Sequence, residues 1–160
     1  MRDQTYLELI APDPNRNISE EDLFFNLGQI KSPKIITWAV RTTDLDSLGK
    51  MMRLTNIQDG GRVTENGAHL KWKTAEIVEY SDQTGMIPFV IQWGDTPHPA
   101  GTSPQGCQLL EFSAEHPTPN QLNKLLSEIL FPFKIDVAQS FKLKLKINSP
   151  KGVVSLDNIY

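Results

Sequence analysis

The stretch Ile36-Thr37-Trp38-Ala39-Val40-Arg41-Thr42-Thr43-Asp44-Leu45-Asp46 decides the predicted fold. Its first half is mostly β-branched or aromatic and favours a strand, and Thr43 or Asp44 can then cap a helix. Apolar residues continue at helical spacing through Leu45, Leu48, Met51, Met52 and Leu54. A second strand-to-helix transition lies between Leu109 and Leu122. The two transitions predict an α+β fold with a duplicated unit.

The first predicted unit covers residues 35–94. Its opening strand is Ile35–Thr42 and its last strand is Met86–Trp93. Between them, Gly60-Gly61 and Asn66-Gly67 are typical of turns that join short strands. The unit therefore has the order β-α-β-β-β.

The second predicted unit covers residues 106–157, after a loop rich in proline and glycine. Thr118 is its predicted helix cap, with Pro119 at the first helical position. Phe141–Ile147 alternates apolar residues with lysines and is typical of a strand with one buried face. We therefore predict paired βαβββ modules that form a curved mixed sheet, with the helices on its outer face.

Residues 1–34 are predicted to be the remnant of a leading module within a single domain, 1–160. Thr5–Ala11 favours a strand, and Ser19 is placed to cap a short helix at Glu20–Leu27. A lone strand with an exposed apolar face invites pairing with another chain, so we expect a homodimer that completes the sheet. A native chain that starts upstream of Met1 is the alternative.

The composition excludes several classes of protein. The chain has 160 residues, 39% of them hydrophobic and 22% charged, with a net charge of -3. These values are typical of a globular domain. The sequence has no cluster of positive charge, so nucleic-acid binding is not expected. No apolar run is long enough to span a bilayer, so no membrane partner is expected. Cys107 is the single cysteine, which fits a reducing, cytoplasmic location.

Three segments, taken in order, are similar to one family: YLELIAPDP at 6–14, WAVRTTDLD at 38–46 and PFVIQWGDTPHP at 88–99. Their order resembles that of the glyoxalase-like domain proteins of the vicinal-oxygen-chelate (glyoxalase/bleomycin resistance/dioxygenase) superfamily. The resemblance implies a cup-shaped sheet that binds a small, anionic organic molecule. It implies either a metal-assisted lyase, isomerase or dioxygenase, or a non-catalytic binding or interaction module, so enzyme activity stays open.

The resemblance also implies a set of metal ligands, which this chain matches in part. Glu8 and Gln92 occupy positions where such proteins place ligands, while Thr37 stands where a histidine is expected. A hard divalent ion needs several donors from one site. We therefore expect no metal ion within the single chain, with a divalent ion as the alternative.

The ligand-binding candidates are Arg41, Gln92, Trp93 and His98. If Gln92 faces the cavity, strand parity places Arg41 on the same face, where its guanidinium suits a carboxylate or phosphate. Pairing of Arg41 with Asp44 or Asp46 is the alternative. His98 follows the Gln92 strand and can reach the mouth of the cavity, although a His-Pro step also serves as a turn. Two roles are open for the three tryptophans Trp38, Trp72 and Trp93: they line the ligand pocket, or they pack in the core.

Overall fold

The computed structural model describes residues 5–15, 17–64, 67–78, 85–96, 98–129 and 133–159, and these ranges contain two four-stranded sheets and three α-helices. The first sheet consists of β1 (Ala39–Arg41), β2 (Leu54–Val63), β3 (His69–Ile77) and β4 (Phe89–Trp93). The second consists of β5 (Gln108–His116), β6 (Ile135–Val137), β7 (Lys142–Ser149) and β8 (Gly152–Ile159). The helices are α1 (Leu45–Met51), α2 (Pro99–Thr102) and α3 (Asn120–Glu128). No helix within these ranges is both long and apolar enough to cross a membrane.

The predicted α+β class and its βαβββ units are confirmed, because β1-α1-β2-β3-β4 and β5-α3-β6-β7-β8 follow one another along the chain. The strands are divided between two mixed sheets, and their spatial orders differ. The first sheet has the order β1-β4-β3-β2, and the second has the order β6-β5-β7-β8. In the first unit β1, the strand before the helix, pairs in parallel with β4, the last strand of the unit. In the second unit β5, the strand before the helix, pairs in parallel with β6, the strand directly after the helix.

Helix α1 begins where the sequence predicts it, because Asp44 satisfies backbone groups of its first turn. The Asp44 Oδ1 accepts a hydrogen bond from the Ser47 backbone N at 3.0 Å, and Oδ2 accepts one from the Ser47 hydroxyl at 2.6 Å. These bonds hold the pKa of the Asp44 carboxyl below its usual value. The helix ends at Met51, and Leu54, predicted to continue its apolar face, instead begins β2.

Helix α3 joins the cores of the two units. Leu125 is buried with residues of the first unit, including Leu45 and Val90. Leu122 and Leu126, on the same helix, are buried with residues of the second sheet such as Leu143. The helix begins at Asn120 with Pro119 as its N-cap, so the predicted cap at Thr118 is wrong; the Thr118 backbone N donates to His116 Nδ1 at 2.9 Å.

The leading segment differs from its prediction. Thr5–Ala11 forms no strand, since no described residue offers it a hydrogen-bonded neighbour. The predicted helix Glu20–Leu27 is replaced by two 3-10 turns, Glu20–Asp22 and Phe24–Gln29, and the Ser19 hydroxyl bonds to Asp22 Oδ2 instead of capping a backbone N–H.

The turn predicted at Gly60-Gly61 is also wrong, because both glycines lie inside β2. A Cβ atom on Gly60 would lie 2.2 Å from Nε1 of Trp72, its cross-strand neighbour on β3. The glycine therefore makes room for an indole ring rather than for a turn. The predicted hairpin does join β2 to β3, and Gly67 N donates to Thr64 O at 2.9 Å there; Asn66 lies outside the described residues.

Candidate functional site

The two faces of the first sheet have different environments. Helices cover one face, where Leu45 and Met52 pack against Ala75, Ile77 and Val90. Side chains alternate along a strand, so the residues between those positions belong to the other face. We call this second surface the tryptophan face; the register places these residues on it: Arg41, Gln58, Arg62, Leu70, Trp72, Thr74, Ile91 and Trp93.

Four aromatic rings form a continuous row on the tryptophan face. Trp72 and Trp93 are cross-strand neighbours, and their ring centroids are 5.3 Å apart. His98 contacts Trp93 edge-on, with centroids separated by 5.5 Å, and Tyr6 contacts His98 in the same way at 5.8 Å. Trp72, Trp93, His98 and Tyr6 are all half-buried, so the row is partly accessible to solvent. Such a surface suits the flat, apolar part of an organic molecule.

His98 is fixed by its position at the start of α2. Its Nδ1 accepts a hydrogen bond from the Ala100 backbone N at 3.2 Å, which leaves the proton of the neutral ring on Nε2. Burial lowers the pKa of His98 below its ordinary value of 6.5, and the positive charge of Arg41 lowers it further. His98 is therefore a neutral ring at pH 7.

Two arginines on this face bring positive charge to the row. Arg41 is exposed on the same face as Trp93, and its positive charge lowers the pKa of His98. Arg62 is exposed on β2 and acts in the same way on Tyr6. Within the described residues, Arg41 forms no salt bridge with Asp44 or Asp46, and Asp44 is instead occupied by Ser47.

Of the residues predicted from the sequence, the structure brings Arg41, Trp93 and His98 together. Glu8 is exposed in the segment that carries Tyr6, and its negative charge raises the pKa of the Tyr6 hydroxyl. The prediction that Gln92 shares a face with Arg41 is wrong. The register pairs Arg41 with Ile91, so Gln92 lies on the helix-covered face, where its Oε1 accepts a hydrogen bond from Leu45 N at 2.7 Å.

These positions do not fit the metal site that the family resemblance implies. Glu8 is exposed in the leading segment, whereas the side-chain carbonyl oxygen of Gln92 accepts the Leu45 N–H at the start of α1 on the helix-covered face. Among the described residues, no group of three His, Cys, Asp or Glu side chains is close enough to hold an ion. A divalent ion needs several donors from one site, and Glu8 and Gln92 cannot supply them jointly.

The tryptophans divide between the two roles considered for them. Trp38 packs in the core, where its Nε1 donates to Met86 O at 3.0 Å and its ring contacts Phe112 and Phe133. Trp72 and Trp93 instead lie on the tryptophan face.

Tyr6 and Arg62 were not among the residues predicted from the sequence. Alternation within His69-Leu70-Lys71-Trp72-Lys73 does set Trp72 opposite the lysines, but Arg62 could be placed only from the β2–β3 register.

A shallow cleft also lies elsewhere, between β1, α1 and α3. Its lining is mainly apolar and includes Val40, Leu48, Val90 and Ile129. Arg41 and Thr42 also line it, and none of its described lining residues is an acid or a histidine. The tryptophan face, which combines rings with charged groups, is therefore the candidate site.

A family model and a solved structure are similar to this chain. The model of the family described as glyoxalase-like domain matches residues 1–130. A crystal structure of a hypothetical protein from Staphylococcus aureus is 11% identical, with a TM-score of 0.47. The match covers 74% of this chain and 49% of that one, so this chain spans about half the length of the matched protein. No curated protein matches.

Proposed function

Because the chain belongs to the glyoxalase-like domain family, whose members share a small-molecule-binding fold, we propose that its tryptophan face binds a small anionic organic molecule. Arg41 supplies the positive charge in this proposal, and Trp93 and His98 supply contacts for the apolar part of the molecule. The observation that supports it is the register that puts the exposed Arg41 on the same face as a row of partly accessible rings.

Arg41 suits this role because its guanidinium is a planar group with several donors, which matches a carboxylate in two parallel hydrogen bonds. It has no acidic partner among the described residues, so it does not have to give up a salt bridge when an anion binds. The neutral His98 ring on this face adds an uncharged surface for the apolar part of the molecule.

We propose this function as that of a non-catalytic binding module. Metal-assisted lyase, isomerase or dioxygenase chemistry is not part of it, because the side-chain oxygen of Gln92 is committed to the Leu45 N–H at the start of α1. A stoichiometric divalent ion in the purified protein, lost in Glu8→Ala, would favour the metal-assisted alternative.

The proposal is tested by isothermal titration calorimetry with a panel of small carboxylates, each paired with its neutral amide. We expect at least one carboxylate to bind and its amide to bind about tenfold more weakly, because a charge-assisted hydrogen bond contributes about 1.5–3 kcal/mol. Arg41→Gln should weaken carboxylate binding by about the same factor.

Lys50→Gln is the control, because it removes one positive charge from the exposed last turn of α1 and leaves the tryptophan face intact. Its carboxylate affinity should equal that of the unmodified chain. Equal binding of acids and amides, or an Arg41→Gln variant that binds normally, would contradict the proposal.

A further inference from the structure

Tyr6 brings an aromatic ring of this chain onto the candidate site. The ring contacts His98 edge-on, at a centroid distance of 5.8 Å, and extends the row that begins at Trp72. Two residues later the same segment carries Glu8, whose carboxylate is close enough to act on the Tyr6 hydroxyl. The chain thus places a ring against His98, in a segment that also carries an exposed acid.

The Tyr6 side chain is held in place by packing of its ring and not by a hydrogen bond of its hydroxyl. Burial raises the pKa of the Tyr6 hydroxyl, the Glu8 carboxylate raises it further, and Arg62 lowers it. Among the described residues the hydroxyl has no hydrogen-bond partner. The ring therefore covers the site without a directional bond that would fix it there.

The segment that carries Tyr6 is weakly attached to the sheet. Residues 5–13 form no helix or strand, and Leu9 is 83% exposed. Leu7 and Ile10 are also exposed, so few apolar contacts are lost if the segment lifts away. Segments with exposed backbone and little buried apolar area open most easily.

We propose that the tryptophan face takes a small molecule that carries an aromatic ring beside an acidic group, and that Tyr6 occupies the position of this ring when the ligand is absent. This rests on the proposed function, since the acidic group is the one that binds Arg41. The ligand ring lies against Trp93 and His98, as the Tyr6 ring lies against His98. When the segment lifts, Glu8 leaves with Tyr6, and its negative charge no longer opposes the incoming acid.

The ligand class is tested with three probes of similar size in isothermal titration calorimetry. Benzoate has a ring and a charge, cyclohexanecarboxylate has the charge without the flat ring, and benzamide has the ring without the charge. We expect benzoate to bind about tenfold more tightly than either of the other two, because only benzoate makes both kinds of contact.

The role of Tyr6 is tested in the same assay with variants of the leading segment. Tyr6→Ala should tighten benzoate binding severalfold. Without the Tyr6 ring, a larger fraction of the molecules has the position of the ligand ring open, and the apparent affinity rises with this fraction. Tyr6→Phe keeps the ring and should bind like the unmodified chain. Leu9→Ala is the matched control, since Leu9 is exposed in the same segment and should not change the affinity. Circular dichroism melts confirm that each variant is folded.

The outcomes separate this inference from the proposed function. If cyclohexanecarboxylate binds as tightly as benzoate, or if Tyr6→Ala does not tighten binding, the inference is wrong. The proposed function then still stands, provided that Arg41→Gln weakens binding of the carboxylate. If no carboxylate binds to either the unmodified chain or Tyr6→Ala, both are wrong.

Discussion

At the scale of single residues, the protonation of His98 depends on its two neighbours in space. The Ala100 N–H occupies Nδ1, and Arg41 places a positive charge near the ring. Both disfavour the imidazolium form, in addition to burial, which is the largest cause of the lowered pKa. A neutral His98 adds no positive charge of its own at pH 7, so selection for a negative group depends on the arginines of this face, with Arg41 on the same face as Trp93.

The coupling between Arg41 and His98 can be measured directly. In Arg41→Gln the pKa of His98 should rise, but remain below 6.5, because the larger cause, burial, is unchanged. The measurement is an NMR titration of the His98 ring protons. A His98 pKa that does not move would contradict the placement of the guanidinium near this ring.

The lowered pKa of His98 also determines whether its contribution to the free energy of unfolding rises or falls with pH. Folded His98 has a lower pKa than unfolded His98, so the unfolded state binds more protons below pH 6.5. The contribution of His98 to stability is therefore complete above pH 6.5 and is lost as the pH falls through the folded pKa.

At the scale of elements, the sequence predicts where helices and strands lie along the chain better than it predicts which strands pair and in which register. Asp44 and the spacing of Leu45 and Leu48 were sufficient to place α1, because a cap and a period act within a few residues. The position of Gln92 depends instead on the register of β4 against β1 and β3. A shift of one residue moves every side chain to the other face, and the sequence of one strand does not set its register.

Gln92 consequently has a structural role that can be tested. Gln92→Ala removes the side-chain acceptor of the Leu45 N–H at the first turn of α1. We expect a loss of about 1 kcal/mol in the free energy of unfolding, measured by urea denaturation, because a half-buried donor is left without its partner. Gln58→Ala, at an exposed position of β2, is the control and should change stability by less than about 0.5 kcal/mol. Equal stability of the two variants would count against this role.

At the scale of the whole molecule, the two units share their order of elements but not their order of strands. The repeated pattern of a strand, a capped helix and three strands was visible in the sequence, and it predicted the fold class. It could not predict that β5 pairs with β6 while β1 pairs with β4, because alternation of side chains assigns faces and not neighbours. The expected homodimer, and residues 1–34 as part of a leading module, stay predictions.

The two units are nevertheless joined through α3, and this predicts how the protein unfolds. Leu125 belongs to the second unit in sequence, but its side chain is 1% exposed within the core of the first. Leu125→Ala should lower the free energy of unfolding by about 2–5 kcal/mol, the usual cost of a cavity at a buried leucine. Gln121→Ala, at an exposed position of the same helix, should have little effect.

Tryptophan fluorescence and far-UV circular dichroism provide two views of this transition. Trp72 and Trp93 lie in the first sheet, whereas Trp38 packs against Phe112 and Phe133. The fluorescence is therefore recorded in a Trp38→Phe background, where it reports on the first sheet. If α3 couples the units, both signals shift together to lower urea concentration in Leu125→Ala, with one transition. Two separate transitions, with the fluorescence midpoint unchanged by Leu125→Ala, would mean that each unit unfolds independently and that α3 contributes to the second sheet alone.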